Sequence, residues 1–176
     1  MNAGVKYRQM IRAVQPSDAP AIAAIYADYV LHTTISFELT PPTVQRMQER
    51  IEQIAAHYPY FVWEEADGAI SGYCYAHGWK ERAAYAHTWE TTVYLAPHAM
   101  SKGIGTALMQ QLITACRAAG AHVLIACITD TNAPSRAFHE KLGFRKVSHF
   151  PQVGYKFGHR LDVTDYALLL HPAESP

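Results

Sequence analysis

The segment that most constrains the fold is the short run at residues 122–129, which reads His-Val-Leu-Ile-Ala-Cys-Ile-Thr and is almost wholly apolar. Its length is typical of a β-strand, and a strand without polar alternation is covered on both faces of its sheet. A helical pattern precedes it, because the apolar residues of the stretch 103–119 recur on one helix face and Gly120 provides a stop. The chain is therefore expected to form an α/β domain in which helices flank a central sheet.

The other patterns give the order of the elements. Pro16, Ser17 and Asp18 mark the start of a first helix, with Ser17 as its expected cap, and Pro41 and Pro42 precede a second helix. A short helix is predicted at residues 134–142, and strands are predicted at residues 8–14, 60–65, 69–79, 87–95, 144–150 and 161–170. The order is β-α-α-β-β-β-α-β-α-β-β with a mixed sheet. We expect one domain over residues 1–176, with its core at about 8–171.

The composition excludes several classes of partner. Lys plus Arg and Asp plus Glu number 15 each, so no net charge draws the chain to nucleic acid. No apolar run approaches the roughly 18 residues that span a bilayer, and the first residues lack the apolar core of a signal peptide. The three cysteines are widely spaced and the ten histidines are scattered, so neither a disulfide framework nor a metal site is expected. We therefore expect a cytoplasmic protein that binds no membrane, nucleic acid or metal.

A candidate anion site follows the predicted strand that ends at Leu95. After a short loop, Gly103 and Gly105 open the helix at 103–119, where backbone N–H groups are unpaired and the helix dipole is positive. Lys102 adds a mobile charge and Thr106 a hydroxyl. The glycines alone fit a simple helix entry equally well. The Rossmann pattern is excluded because position 108 is leucine, and the Walker pattern is excluded because Gly-Lys-Ser/Thr is missing from the required place.

This loop and the order of elements resemble the GNAT superfamily of acetyl-CoA-dependent N-acetyltransferases, whose sheet is mixed but mostly antiparallel. The family writes the loop Q/R-x-x-G-x-G/A, and residues 100–105 read Met-Ser-Lys-Gly-Ile-Gly, so Met100 departs from the usual Gln or Arg. The segments 79–85, 89–94, 139–144 and 154–158 are similar to the phosphinothricin N-acetyltransferase group, whose relatives acetylate methionine sulfoximine and methionine sulfone. The resemblance extends over roughly residues 11–170.

The resemblance implies acetyl-CoA as co-substrate and assigns residues to it. The pantetheine arm would run along the backbone of Val93, Tyr94 and Leu95, where a β-bulge is expected. Asn132 would contact the pantetheine amide, and Ser135 would contact the cofactor further along. The pyrophosphate would bind the loop of Ser101, Lys102, Gly103, Ile104, Gly105 and Thr106.

Two residues are candidates for the chemistry. An α-amino group is largely protonated at neutral pH, so acetyl transfer needs a base. Glu90 precedes an apolar run in a predicted central strand, where partial burial would raise its pKa, and the family places its catalytic glutamate there. Strand alternation puts Glu90, Thr92 and Tyr94 on one face. His139 stands where many relatives have a tyrosine that protonates the leaving thiolate; a packing or cofactor-contacting role suits it equally well.

The acceptor implied by the resemblance is a small zwitterion that resembles an amino acid. Lys80 and Arg82 match the family's substrate-binding loop and would bind its carboxylate, although solvated loop charges are an alternative. The other candidate acceptor residues are Phe37, Glu81, Tyr85, Thr91 and Thr92. Trp89 fits either the pocket wall or the core.

Three functions remain open from the sequence. The first is acetylation of an amino-acid analogue, and the second is acetylation of another small amine or a protein N-terminus, which a pocket without Lys80 and Arg82 would favour. The third is a non-catalytic acyl-CoA sensor, against which Glu90 argues. The family commonly forms homodimers through its C-terminal region. In that region residues 159–162 and Asp165, which stands where an apolar residue is common, depart from the relatives.

Overall fold

The computed structural model describes residues 10–170, and these share one eight-stranded sheet. The elements are β1 (Met10–Ala13), α1 (Ala19–His32), α2 (Val44–Ala55), β2 (Tyr60–Glu64), β3 (Ile70–Gly78), β4 (Thr88–Leu95), α3 (Ile104–Ala118), β5 (Val123–Thr129), α4 (Ala133–Lys141), β6 (Arg145–Lys146), β7 (Phe150–Lys156) and β8 (His159–Leu169). The strands lie in the order β1-β2-β3-β4-β5-β8-β6, and β7 pairs with β8. Among the strands of residues 10–170, only β4 and β5 pair in parallel. The predicted helix-flanked and mostly antiparallel sheet is confirmed. Within residues 10–170, no helix is long and apolar enough to cross a bilayer.

The helices divide between the two faces of the sheet. Tyr26 and Tyr29 of α1 contact the ring of Tyr94, with ring centroids 5.2 and 4.7 Å away. On the opposite face α3 buries Leu108 completely, and the Cys74 thiol donates to the Leu108 carbonyl oxygen at 3.4 Å. The apolar stripe read in residues 103–119 therefore packs on the sheet as the helical pattern predicts.

The expected cap at Ser17 is wrong. Ser17 lies inside a short 3-10 turn, Pro16–Asp18, that precedes α1. Asp18 holds the turn, because its carboxylate accepts hydrogen bonds from the Gln15 N–H and from both terminal nitrogens of Arg12, each at 2.8 Å. Arg12 also pairs with Glu64 on β2. A cation from β1 thus fixes the entry to α1.

The prediction for the last strands is also partly wrong. The strand expected at residues 144–150 shrinks to Arg145–Lys146, and a strand that the sequence did not indicate, β7, covers Phe150–Lys156. Pro151 and Gly154 break its alternation, Gln152 has φ +57°, and the β7–β8 register shifts between Phe150 and Gly154. The sheet therefore has eight strands and not seven.

Candidate active site

The central feature of the site is a gap between β4 and β5. Their parallel pairing covers only Thr88, Trp89 and Glu90, which face residues 123–125, although β4 continues to Leu95 and β5 to Thr129. The Thr91 hydroxyl donates to the Ile125 carbonyl oxygen at 3.2 Å at the point where the strands separate. Beyond this point β4 has backbone groups without a strand partner on that side.

The expected bulge in β4 is wrong. The β3–β4 register runs without a shift from the Gly72–Leu95 pair to the Gly78–Trp89 pair. Alternation therefore holds, and Glu90, Thr92 and Tyr94 share the face that carries α1. The gap arises because β4 and β5 diverge, and it needs no extra residue.

A cavity of about 530 Å³ passes through this gap. Predicted site residues line it from both faces of the sheet: Phe37, Glu90, Thr91, Thr92, Val93, Tyr94, Asn132, Ser135 and His139. Several further lining residues were not predicted from the sequence, among them Tyr26, Ser36, Glu38, Tyr75, His77 and Cys127. Tyr75 and His77 could have been found from the sequence, because they alternate along β3 and pair with Thr92 and Glu90. Ser36 and Glu38 lie in the loop between α1 and α2, which has no periodic pattern.

Glu90 lies in the cavity wall where the strands begin to diverge. Burial raises the pKa of its carboxyl group; His77, directly opposite on β3, lowers it, and the charge of Asp165 raises it further. The net pKa lies above the ordinary value for glutamate. This carboxylate therefore has the environment of a general base.

His139 is buried in the wall of the cavity. Its Nδ1 lies 2.8 Å from the backbone carbonyl oxygen of Ser135, which can only accept a hydrogen bond. Nδ1 must therefore carry the proton in the neutral ring, which leaves Nε2 as an acceptor. Burial lowers the pKa of His139, with the Ser135 carbonyl opposing this. The geometry favours the packing or cofactor-contacting role over proton donation.

The helix start at α3 keeps its anion-binding features. Gly103 is the N-cap with φ +81°, no side chain caps the helix, and a Cβ placed there would meet no atom within 4 Å. Ser101, Lys102 and Thr106 are exposed, while Ile104 and Gly105 are buried. The first N–H groups of α3 can therefore bind a ligand. Because Ile104 and Gly105 are buried, these two residues could take part only through their backbone N–H groups.

The predicted acceptor loop lies outside the cavity lining. Lys80, Glu81 and Arg82 are exposed, and the Lys80 ammonium lies 4.0 Å above the Trp79 ring and 5.4 Å from the Tyr85 ring centre. No Lys or Arg of residues 10–170 lines the cavity.

Trp89 belongs to the core, since it is 7% exposed and its Nε1 donates to the Ala86 carbonyl oxygen at 2.8 Å. No cluster of three or more His, Cys, Asp or Glu residues in the described part of the chain could hold a metal ion.

Comparison with known proteins identifies the class. The sequence profile described as the acetyltransferase (GNAT) domain matches residues 11–164, so the chain belongs to the GNAT acetyltransferase family. It is an acetyl-CoA-dependent N-acetyltransferase.

The chain is 40% identical over 154 residues to the phosphinothricin N-acetyltransferase of Alcaligenes faecalis, covering 86% of this chain and 78% of that protein. It is 38% identical over 166 residues to the L-methionine sulfoximine/L-methionine sulfone acetyltransferase of Pseudomonas aeruginosa, covering 94% and 96%.

Solved structures of acetyltransferases share the fold of this chain. The phosphinothricin acetyltransferase of Sinorhizobium meliloti, solved with acetyl-CoA, has a TM-score of 0.88 and 34% identity, with 92% of this chain and 88% of that chain covered. The yncA protein of Salmonella typhimurium, solved with its cofactor acetyl-CoA, has a TM-score of 0.91 and 34% identity over 96% and 98%.

The residues present fit acetyl-CoA, which supplies the acetyl group as a thioester. The open edge of β4 can pair with an extended amide-bearing chain, and the uncapped start of α3 suits a pyrophosphate.

Proposed function

We propose that the enzyme transfers the acetyl group to the α-amino group of a small amino-acid analogue of the phosphinothricin, methionine sulfoximine or methionine sulfone type, by direct attack. The observation that carries this proposal is the position of Glu90, whose carboxylate lines the cavity where β4 and β5 separate. Glu90 removes a proton from the acceptor ammonium, because only the neutral amine attacks a thioester. Thr92, two residues along the same face, can hydrogen-bond the acceptor beside the base.

The co-substrate is proposed to lie on the α3 side of the cavity. Val93, Tyr94 and Leu95 offer backbone groups along the gap. Asn132, the N-cap of α4, and Ser135 in its first turn line the same cavity. Ser101, Lys102, Gly103, Ile104, Gly105 and Thr106 form the proposed pyrophosphate loop. His139 is proposed to shape the wall of this half, because its Nδ1–H is held by Ser135.

The acceptor is proposed to lie on the α1 side, against Phe37 and Thr92, with Thr91 at the junction where β4 and β5 separate. The loop of Lys80, Glu81, Arg82 and Tyr85 would have to approach the cavity to bind the acceptor carboxylate. A second candidate function, acetylation of a small amine without a carboxylate or of a protein N-terminus, is favoured by the absence of Lys and Arg from the cavity lining within residues 10–170.

A panel of acceptors separates the two functions. Purified protein, acetyl-CoA and a thiol reagent report release of free CoA with phosphinothricin, methionine sulfoximine, methionine sulfone, a simple alkylamine and a peptide. We expect release with the three amino-acid analogues and little with the alkylamine. Matched R82Q and K80Q variants should raise the KM for the analogues. Release with only the alkylamine or peptide would replace the first function by the second, and release with none would overturn both.

We also propose that the enzyme is a homodimer. Val153 and Tyr155 of β7, and Phe157 directly after it, have 61, 67 and 55% of their surface exposed. In the described residues β7 pairs only with β8. Such an apolar strip is an aggregation hazard unless a partner covers it, and a second copy is the partner proposed. Sedimentation should give a dimer for the native protein and for L39E, which alters an exposed leucine outside β7, and a monomer for Y155E. A monomeric native protein would refute this.

The free cysteines Cys74, Cys116 and Cys127 suit a reducing compartment, and cytoplasmic detoxification of amino-acid analogues is the proposed role.

A further inference from the structure

Strand β7 presents two different faces. Val153 and Tyr155 are exposed, whereas the alternate residues Gly154 and Lys156 are buried. Phe157 follows the strand, and its ring centre lies 5.0 Å from the Lys156 ammonium. Lys156 is only 2% exposed, and no carboxylate of residues 10–170 forms an ion pair with it. A buried lysine without a counter-charge is costly, and a methionine would fill similar space at lower cost. The position of its ammonium group therefore calls for an explanation.

The Lys156 ammonium ends at the loop between α1 and α2. It donates to the backbone carbonyl oxygen of Ser36 at 2.6 Å, across 120 residues of sequence. Burial lowers the pKa of Lys156, but the amine can donate this hydrogen bond in either protonation state. Ser36 itself lines the cavity, so this bond fixes part of the cavity wall.

The second inward residue of β7 holds the neighbouring side chain. A Cβ at Gly154 would lie 2.3 Å from Cε2 of Phe37 and 2.6 Å from its Cζ. The aromatic ring of Phe37 thus rests directly on the backbone of Gly154. Lys156 and Gly154 together set where the Phe37 ring stands in the cavity.

Other contacts attach the same loop to the acceptor half of the cavity. The Ser36 hydroxyl lies 2.7 Å from the Tyr26 hydroxyl, which donates to Glu38 at 3.0 Å, and the Thr129 hydroxyl donates to the Thr34 carbonyl oxygen at 2.8 Å. All these groups lie on the face that carries α1. The residues assigned to acetyl-CoA lie across the gap.

We propose that Lys156 is a positioning residue that, with Gly154, fixes the Ser36–Phe37 wall against which the acceptor binds. This rests on the proposed function only in assigning the α1 side of the cavity to the acceptor. The consequence is specific: loosening the wall weakens acceptor binding and leaves the acetyl-CoA half intact.

The kinetic test compares K156M, which removes the donor, with K156Q, which keeps a neutral donor, and with K146M, which alters an exposed lysine on β6. Loss of this hydrogen bond should raise the acceptor KM of K156M about tenfold and that of K156Q less. The KM for acetyl-CoA and kcat should stay within roughly twofold of the native values, as for K146M. G154A should raise the acceptor KM in the same way, and the double variant should be less than additive because both changes act on one loop.

A measurement without acceptor keeps this proposal separate from the choice of substrate. The Glu38 N–H is bonded to the Ser36 hydroxyl at 3.2 Å, so hydrogen exchange in a peptide covering residues 33–38 reports the state of the wall. Exchange there should speed up about tenfold in K156M and stay unchanged in α3. Faster exchange in K156M without acetylation of any panel amine by the native protein would support the positioning role of Lys156 and overturn the proposed substrate. Native exchange in this peptide, or equal rises in both KM values, would overturn the role of Lys156.

Discussion

Replacement of Glu90 by glutamine tests the central assignment. The amide keeps the volume of the side chain but cannot accept a proton from the acceptor ammonium. General base catalysis contributes about 10²–10⁴-fold, which corresponds to roughly 2.7–5.4 kcal/mol at 1.36 kcal/mol per factor of ten. His77 stands directly opposite Glu90 and can take over part of the proton transfer. We therefore expect the lower part of this range, a loss of about 10²–10³ in kcat.

The direction of the Glu90 pKa shift predicts how the activity depends on pH. Burial, together with the charge of Asp165, raises the pKa of Glu90 although His77 opposes this shift. A raised carboxyl pKa means that the base becomes protonated at a higher pH than an exposed glutamate does. In the native enzyme kcat/KM should therefore fall as the pH drops through that raised pKa, and E90Q should lack this limb.

The assay follows free CoA by its thiol across the pH range, with saturating acetyl-CoA. E52Q, which alters an exposed glutamate on α2 whose carboxylate accepts from Gln48, provides the matched control and should retain native rates. Stabilisation of E90Q by acetyl-CoA in a thermal melt should match that of the native enzyme, because Glu90 lies on the face proposed for the acceptor. Full kcat of E90Q at every pH would refute the assignment.

Three further variants test the surrounding structure. G103A forces a side chain into φ +81° and should cost about 1–2 kcal/mol of stability, a few degrees in Tm, while raising the KM for acetyl-CoA. D165N removes a charge that raises the pKa of Glu90, so the acidic limb of kcat/KM should move to lower pH. D18N weakens the contact with Arg12 and should cost about 1–3 kcal/mol in urea unfolding at neutral pH. Burial raises the pKa of Asp18, but the Arg12 and Gln15 hydrogen bonds outweigh it and the net pKa is lowered, so this loss should shrink as pH falls through that pKa.

Controls separate these effects from general damage. Gly68 has φ +86° and equally open surroundings in the β2–β3 turn, so G68A should lose similar stability without changing the KM for acetyl-CoA. Equal KM changes in G68A and G103A would refute the anion site at α3. If the acidic limb of kcat/KM did not move in D165N, Asp165 would not influence the pKa of Glu90. If the loss of unfolding free energy in D18N persisted in acid, the Arg12 contact would not be ionic in origin.

The central part of the fold could be predicted because its signals are local. Alternation in β4 and the helical stripe of α3 depend on neighbours within a few residues, and both appear in the structure at nearly the predicted bounds. The face shared by Glu90, Thr92 and Tyr94 follows from the same alternation.

The missed parts depend on partners distant in sequence. β7 becomes a strand through pairing with β8, although Pro151 and Gly154 weaken its own signal. Ser36 accepts a hydrogen bond from Lys156, 120 residues away, and Thr34 accepts one from Thr129, 95 residues away. No periodic pattern in residues 33–38 could have indicated these contacts. The cap at Ser17 failed for a local reason, because the carboxylate of the next residue, Asp18, accepts hydrogen bonds from the Gln15 N–H and from Arg12, six residues away.

The geometry of the gap also bears on whether the acetyl group passes through the protein. Cys127 is the one thiol that lines the cavity in residues 10–170, and a double displacement would need its thiolate. Desolvation and the charges of Glu90 and Asp165 raise the pKa of this thiol to about 12, so it stays protonated near neutral pH. The charge of Glu90, the proposed base, thus also helps to keep Cys127 protonated. A cavity open to both faces of the sheet, with the proposed base Glu90 at the junction and no activated thiol of residues 10–170 in its lining, supports the proposed direct attack of the acceptor amine on the thioester.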